Sequence, residues 1–106
     1  MRRFHRELED NLEQALFIPD LCVALGVSER TLRICCEESL GTSPYRYLVL
    51  RRMRLARKAL QRGSPNTTSV TEIAAQWGFW NFGRFAGDYK LLFGELPSVT
   101  LAQPRD

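Results

Sequence analysis

The sequence has few of the residues that build metal sites, disulfides or catalytic centres. It contains three cysteines and one histidine in 106 residues. No pair of cysteines has the CxxC spacing of zinc and redox motifs, and an odd number does not indicate a disulfide framework. The carboxylates Glu7, Glu13 and Asp20 do not form a paired catalytic set, and no base is placed to activate a thiol. We therefore expect no metal, no cofactor and no enzymatic activity.

Long apolar runs and strand-like patterns are also missing. No apolar run approaches the ~20 residues that cross a bilayer, and the first residues do not have the pattern of a signal peptide. No alternation of apolar and polar residues is long enough for a β-strand. The sequence therefore predicts an all-α protein in a cytoplasmic, reducing compartment.

Acidic residues are absent from one stretch in the middle of the chain. The net charge is only +3, but residues 44–63 contain seven basic residues and no acid. Thirteen of the fifteen basic residues are arginines, and the guanidinium fork can bond bidentately to phosphate or guanine. A solvated basic face is the alternative, and the basic run alone does not decide between them.

The same stretch predicts one long helix over residues 44–62. Ser43 is suited to the N-cap, Pro44 to the first turn and Gly63 to the end. Four apolar residues recur on one face: Val49, Met53, Ala56 and Leu60. At ~1.5 Å per residue, the helix is about 28 Å long.

Three helices are expected before this central helix. Residues 3–16 form an amphipathic pattern, and Pro19 and Asp20 open a second helix that Gly26 ends. Ser28 is the predicted N-cap of a third helix that runs to Leu40. Its inward candidates are Leu32, Cys35 and Cys36.

Three further helices are expected after it. Ser69 and Glu72 have the spacing of a capping box before the fifth helix. Asn81 is the predicted N-cap of a sixth helix to Phe93, and Pro97 opens a seventh. The sixth helix has an aromatic stripe of Phe82, Phe85, Tyr89 and Phe93.

Two parts of the chain repeat the same short pattern. Each has a small residue on a short helix, then a glycine, an apolar residue and the start of another helix, at Leu25–Ser28 and at Trp77–Trp80. This pattern is typical of a helix-turn-helix. The central helix between the two copies is comparable in length to the ~34 Å that separate successive major grooves.

These residues resemble the DNA-binding domain of the AraC/XylS family of bacterial transcription regulators, from Ile18 to Leu101. In the first half, the resemblance rests on Leu21, Leu25-Gly26-Val27-Ser28, Arg30, Leu32, Gly41, Ser43-Pro44, Tyr47, Arg52-Met53, Ala56 and Leu60. In the second half, it rests on Val70-Thr71-Glu72-Ile73-Ala74, Gly78-Phe79, Phe85, Phe93-Gly94 and Pro97. Residues 83–101, GRFAGDYKLLFGELPSVTL, are similar to the XylS-like branch.

The resemblance implies one DNA-binding domain over residues 1–106. Its parts are a first helix-turn-helix at about 18–40, a linker helix at 44–62 and a second helix-turn-helix at about 70–93. It implies sequence-specific binding to double-stranded DNA in the nucleoid, with both recognition helices in successive major grooves. It also implies an activator that contacts RNA polymerase, and a small-molecule effector where a separate N-terminal domain exists.

The candidate site residues lie on the outward faces of the two recognition helices, near their N-terminal ends. The expected DNA contacts of the first recognition helix are Ser28, Glu29, Arg30, Thr31 and Arg33. Those of the second are Asn81, Phe82, Gly83, Arg84 and Gly87. Arg46 and Arg51 are expected at phosphates, Arg52 is expected to pair with carboxylates, and Trp80 is expected to pack or to meet the DNA backbone.

Several residues depart from the family pattern. Cys22, Cys36 and Ile34 stand where Ala, Phe and Arg are usual, and Gly87 has no explanation in the sequence. Ile34, Gly83 and Gly87 keep open the alternative of a protein-interaction module that has lost DNA binding. The chain is also compatible with either the C-terminal part of a longer regulator or a complete small one.

Overall fold

The computed structural model describes residues 2–11 and 14–104. Within them it contains seven α-helices and no strand. The helices are α1 (Arg2–Asp10), α2 (Ile18–Leu25), α3 (Glu29–Leu40), α4 (Pro44–Arg62), α5 (Val70–Gln76), α6 (Phe82–Phe93) and α7 (Pro97–Ala102). The predicted all-α class and helix number are confirmed. No helix in this described part is long and apolar enough to cross a membrane.

The chain divides into two compact units, and the boundary between them along the sequence falls within α4. Unit 1 is Met1–Arg51 and unit 2 is Arg52–Asp106. Each unit contains one of the two repeated patterns, and each is described by itself below.

Side-chain caps set the starts of four helices where the sequence predicts them. In each case a side-chain oxygen accepts from the backbone N–H three residues later, at 3.0–3.2 Å. The capping residues are Ser28, Ser43, Ser69 and Asn81. The bonds satisfy N–H groups that have no partner within the helix. The first turn of α5 has a further bond, in which the Thr68 hydroxyl donates to the Glu72 carboxylate at 3.0 Å.

Unit 1 has a core built from α1, α2, α3 and the start of α4. Its buried residues are Phe4, Leu8, Leu16, Leu21, Leu25, Leu32, Cys36 and Leu48. The Phe4 ring also packs edge-on against Tyr47, with centroids 5.5 Å apart. Cys35, predicted to face inward, is exposed, because Leu32 and Cys36 already occupy the inner face of α3 at i and i+4.

The first helix is shorter than the sequence predicts. It ends at Asp10 rather than near residue 16, because side chains bond the carbonyl groups at its end. Asn11 donates from Nδ2 to the Glu7 carbonyl at 2.8 Å, and Arg51 bonds the carbonyls that follow. Leu16 is still buried, while the predicted positions 12 and 13 lie outside the described residues.

Unit 2 has a core built from the rest of α4 and from α5, α6 and α7. Its buried apolar residues are Met53, Ala56, Leu60, Ile73, Ala74, Trp77, Phe85, Tyr89, Pro97 and Leu101. Three of the four residues predicted for the inner face of α4 are therefore confirmed, whereas Val49 is half-buried and Leu48 is buried. Phe82 is excluded from the aromatic core of α6, because it lies in the exposed first turn.

Candidate nucleic-acid interface

The turn between α2 and α3 is fixed by the backbone. Gly26 has φ of +66°, a conformation that costs glycine little and opposes a side chain. The next residue, Val27, donates from its N–H to the Cys22 carbonyl at 3.1 Å. Leu25 before the turn and Leu32 after it are both buried, so the turn holds α3 against α2.

The turn between α5 and α6 repeats this arrangement. Gly78 has φ of +85°, and Phe79 donates from its N–H to the Ala74 carbonyl at 2.8 Å. In both turns the residue after the glycine bonds the carbonyl five residues earlier, and the acceptor is the small residue that the sequence pattern predicts. The repeated pattern therefore corresponds to two turns with the same backbone bond.

The first recognition helix, α3, exposes its predicted contact residues. Glu29, Arg30, Thr31 and Arg33 are all exposed, within the first five residues of the helix. A recognition helix contacts base edges with its N-terminal part. The positions of these four side chains are therefore suited to contacts in a DNA groove. Ile34, which stands where Arg is usual, is exposed beside them.

Ser28 has a local role as well. Its hydroxyl accepts from the Thr31 N–H at 3.1 Å and donates to the Thr31 hydroxyl at 3.0 Å. The Ser28 proton is therefore used within the cap, which leaves Thr31 as the better placed of the two hydroxyl donors toward phosphate.

The second recognition helix, α6, has an open outer face. Asn81, Phe82, Gly83, Arg84 and Gly87 are all exposed. A Cβ atom added at Gly83 would meet only Asn81 Oδ1, at 3.8 Å, and one added at Gly87 would meet nothing within 4 Å. Neither glycine is therefore required by packing within the chain, and both leave room for an external surface to approach the helix backbone.

Arg84 has a neighbour that the sequence predictions omit. Its Nε lies 3.8 Å from Asp88 Oδ2, one helical turn away, and both side chains are more than half exposed. The i, i+4 spacing is the signal that would have identified this pair. An exposed pair of this kind adds little stability, and it places a carboxylate beside the guanidinium of Arg84.

Arg51 has a structural role in place of the predicted phosphate contact. Its guanidinium donates to the carbonyls of Asn11, Gln14 and Leu8, at 2.7, 3.0 and 3.3 Å. Burial lowers the pKa of Arg51 from its ordinary value. Because three carbonyls occupy the guanidinium, the prediction that Arg51 contacts DNA is wrong for this structure. Arg46 remains exposed.

Arg52 is structural, as the resemblance implies, and it supports the second turn. It is buried and donates to the carbonyls of Trp77 and Gly78, each at 3.2 Å. Its guanidinium also lies 4.9 Å from the centre of the Phe79 ring. The sequence predicts carboxylates as the partners of Arg52, whereas these acceptors are backbone carbonyls. They belong to the two residues that follow α5, which ends at Gln76.

The other basic residues of α4 are mostly on its surface. Arg54, Lys58 and Arg62 are exposed, while the Arg57 guanidinium stacks 4.7 Å from the centre of the Phe93 ring. Arg46, Arg54, Lys58 and Arg62 are therefore candidates for contact with an external anion, and Arg57 is exposed as well although its guanidinium lies against Phe93.

The metal-ligating side chains of the described residues are dispersed, and one of the three thiols is buried. The described residues contain no group of three or more His, Cys, Asp or Glu side chains that could hold a metal ion. Cys36 is fully buried, and burial raises the pKa of its thiol, which disfavours the reactive thiolate.

Comparison with known proteins agrees with this geometry. A family model described as "Helix-turn-helix domain" matches residues 21–103. A probable AraC family transcriptional regulator from Rhodopseudomonas palustris has a solved structure with a TM-score of 0.77 and 36% identity. The match covers 97% of this chain and 96% of that one. The chain belongs to the AraC/XylS family of helix-turn-helix DNA-binding domains.

Curated relatives point to the same family. The probable thc operon regulatory protein of Rhodococcus erythropolis is 47% identical over 94 residues. The XylDLEGF operon transcriptional activator 3 of Pseudomonas putida is 40% identical over 94 residues. Each match covers 89% of this chain but only 28% of the relative. This AraC/XylS-type domain therefore spans less than a third of those regulators.

Proposed function

We propose that this domain binds a specific double-stranded DNA sequence through α3 and α6 and serves a transcription activator. The observation that carries the proposal is the pair of matching turns, each of which leads into a helix whose N-terminal residues are exposed. Such helices place their first turns at base edges in the major groove.

In the first half-site, Arg30 and Arg33 are proposed to contact base edges or phosphates. Both are exposed on α3, and an arginine can bond bidentately to O6 and N7 of guanine. The Thr31 hydroxyl is suited to a phosphate, or its methyl group to a thymine methyl. Glu29, in the same turn, disfavours close approach of phosphate and can accept from the cytosine N4 amine.

In the second half-site, Arg84 and Phe82 are the proposed readers. Arg84 has the charge and the exposure for a guanine contact, and Asp88 lies one helical turn away. Phe82 is partly exposed, with 39% of its surface accessible, and its ring is suited to an apolar contact with thymine methyl groups. Gly83 and Gly87 then allow the DNA to approach the α6 backbone.

We further propose that both helices bind one duplex, in successive major grooves. The length of α4, nineteen residues, supports this because it amounts to about 28 Å, against ~34 Å between grooves. Arg46 would contact a phosphate beside the first half-site.

The role as an activator rests on the relatives. One is a transcriptional activator of the XylDLEGF operon, and this chain matches only 28% of it. We propose that this domain supplies DNA binding and contacts RNA polymerase. Any effector-responsive domain would lie in the remainder of a longer regulator.

Selection of bound duplexes from a random pool tests the proposal. We expect enrichment of a two-part, asymmetric sequence whose half-site centres are about 10 base pairs apart. The Arg30→Ala and Arg84→Ala variants should each lose preference in a different half-site. If no sequence is enriched at low salt, the proposal of sequence-specific binding fails. If no duplex binds at all, the alternative of a protein-interaction module is favoured.

A further inference from the structure

Two consecutive aromatic residues in the turn before α6 have opposite environments. Phe79 points inward, where its ring centre lies 5.0 Å from that of Phe85 and 4.9 Å from the Arg52 guanidinium carbon. Trp80 points outward, and 75% of its surface is exposed. Trp80 therefore contributes little to the core, and the expectation that it is a packing residue is wrong.

The backbone on both sides of Trp80 is held in place. Before it, the Phe79 N–H bonds the Ala74 carbonyl at 2.8 Å, and Arg52 bonds the carbonyls of the turn. After it, Asn81 Oδ1 accepts from the Arg84 N–H at 3.0 Å. The indole is thus presented from an anchored segment, at the N-terminal end of the second recognition helix.

The position of Trp80 argues for a contact with the sugar–phosphate backbone. It precedes the N-cap of α6, whereas Phe82 and Arg84 lie within the first turn, which is the part that reaches base edges. The indole offers an apolar face and one Nε1–H donor, with no acceptor. Phosphate oxygens accept such donors, and most protein–DNA hydrogen bonds go to phosphate and sugar.

Given the DNA-binding function proposed above, we propose that Trp80 is a further DNA-contact residue. Its ring packs on a deoxyribose at the edge of the groove that α6 occupies, and its Nε1–H donates to a phosphate oxygen. This contact positions α6 without reading a base. It also accounts for a large aromatic side chain that is exposed on an otherwise well-anchored turn.

Intrinsic fluorescence tests this contact directly. Trp77 and Trp80 are the two tryptophans of the chain, and Trp77 is only 5% exposed. In the free protein, acrylamide should quench Trp80 strongly and Trp77 weakly. On saturation with a selected duplex, the quenching of Trp80 should fall severalfold. A Trp80→Phe protein, which reports Trp77 alone, should show no such change.

Binding by variants separates the ring from its N–H group. Trp80→Phe keeps a ring but lacks the donor, and Trp80→Ala lacks both. We expect a loss of a few-fold for the first and ~10-fold for the second, the size of a single good contact. The loss should be equal on selected and random duplexes. Leu91→Ala is the control, because Leu91 is 87% exposed at the other end of α6.

Base analogues distinguish Trp80 from Phe82. Replacing thymine by uracil in the second half-site removes only the methyl group, so its effect should persist in Trp80→Ala and disappear in Phe82→Ala. The proposal for Trp80 is overturned if the duplex binds and Trp80 stays equally quenchable, or if Trp80→Ala binds like Leu91→Ala. If neither duplex binds the unmodified protein, the DNA-binding function fails too.

Discussion

Arg30 and Arg84 lie on the exposed faces of α3 and α6, each near the start of its helix. At the scale of single residues, they are the side chains best suited to carry sequence information, because a guanidinium matches the paired acceptors of guanine. Arg51 and Arg52 have the same side chain but are bonded to carbonyls of the protein itself.

Replacing either exposed arginine should relax base preference at one half-site. Arg30→Ala and Arg84→Ala should each weaken binding to the selected duplex by ~1–3 kcal/mol. Equilibrium titrations with single base-pair substitutions check this, with Arg6→Ala, an exposed arginine of α1, as the control. An equal loss on selected and random DNA would show that the arginine contacts phosphate only.

Tyr89 is a second residue whose environment has a measurable effect. It is fully buried, and its hydroxyl donates to Thr100 Oγ1 at 2.8 Å. The Thr100 hydroxyl in turn donates to the Glu95 carboxylate. Burial raises the pKa of Tyr89, and its bond to Thr100 partly opposes the shift.

The stability of unit 2 should therefore fall in alkaline solution. Because the folded pKa is raised, the folded state holds the phenol proton more tightly than the unfolded chain, whose pKa is ~10. The contribution of Tyr89 is complete below that pH and is lost as the pH rises through the folded value. Urea unfolding at pH 7 and at about pH 11 measures this loss.

Tyr89→Phe should separate the phenol from the rest of the unit. At pH 7 it should lower the free energy of unfolding by ~1 kcal/mol, through the lost hydrogen bond. Between pH 7 and about pH 11 it should lose less stability than the unmodified protein. Tyr45→Phe is the exposed control. An unchanged pH dependence in Tyr89→Phe would contradict the assigned role.

Which residues reach the solvent could be predicted only in part. The inner positions Leu32, Cys36 and Phe85 follow from helical spacing. Spacing does not tell which of two adjacent cysteines faces inward, and Cys35 is exposed. Helical spacing also does not distinguish an arginine that binds carbonyls of the protein from one that contacts DNA. The difference depends on backbone groups that are distant in sequence.

At the scale of elements, α1 is held in unit 1 by its buried side chains and by Arg51. The guanidinium bonds the carbonyls of Leu8, Asn11 and Gln14, at the end of α1 and just after it. The side chains of Phe4 and Leu8 are buried in the same unit.

Arg51→Ala should destabilise unit 1 through this attachment. We expect a loss of ~2–3 kcal/mol, because a charged donor and its carbonyl partners lose their bonds together. Arg54→Ala, on the exposed side of the same helix, should change the free energy of unfolding by less than ~0.5 kcal/mol. Urea unfolding measures both, and equal effects would contradict the role of Arg51.

Gly87 shows how α6 balances helix stability against access to its surface. Nothing lies within 4 Å of a Cβ built there, and glycine inside a helix costs up to ~1 kcal/mol relative to alanine. Gly87→Ala should therefore raise the stability of unit 2 and lower the affinity for DNA. Unfolding and binding titrations on one sample test this, and unchanged affinity would place Gly87 outside the interface.

The limits of the helices show what local sequence decides. The starts of α3, α4, α5 and α6 follow from caps within three residues, so they could be predicted. The end of α1 involves Arg51, some forty residues away in the chain, as well as the nearby Asn11, and the contribution of Arg51 could not be predicted. The exposure of Trp80 depends likewise on Phe79 taking the inner position beside Arg52.

At the scale of the whole molecule, the chain contains the same turn and recognition helix twice. Both units contain a turn with a glycine at positive φ, the same backbone bond and an exposed recognition helix. The repeat was readable in the sequence because glycine and the small residue are required at fixed positions. The preferred DNA sequence could not be predicted, because base preference depends on the contacts of exposed side chains.

The central claim is that these exposed helices bind DNA with sequence preference. The most direct measurement is the equilibrium affinity for a selected duplex and for a scrambled duplex over a range of salt concentrations. We predict that both affinities fall linearly with the logarithm of salt, by ~0.9 per phosphate contact, and that the selected duplex binds tighter throughout. Affinity that is flat with salt, or equal for the two duplexes, would contradict the account.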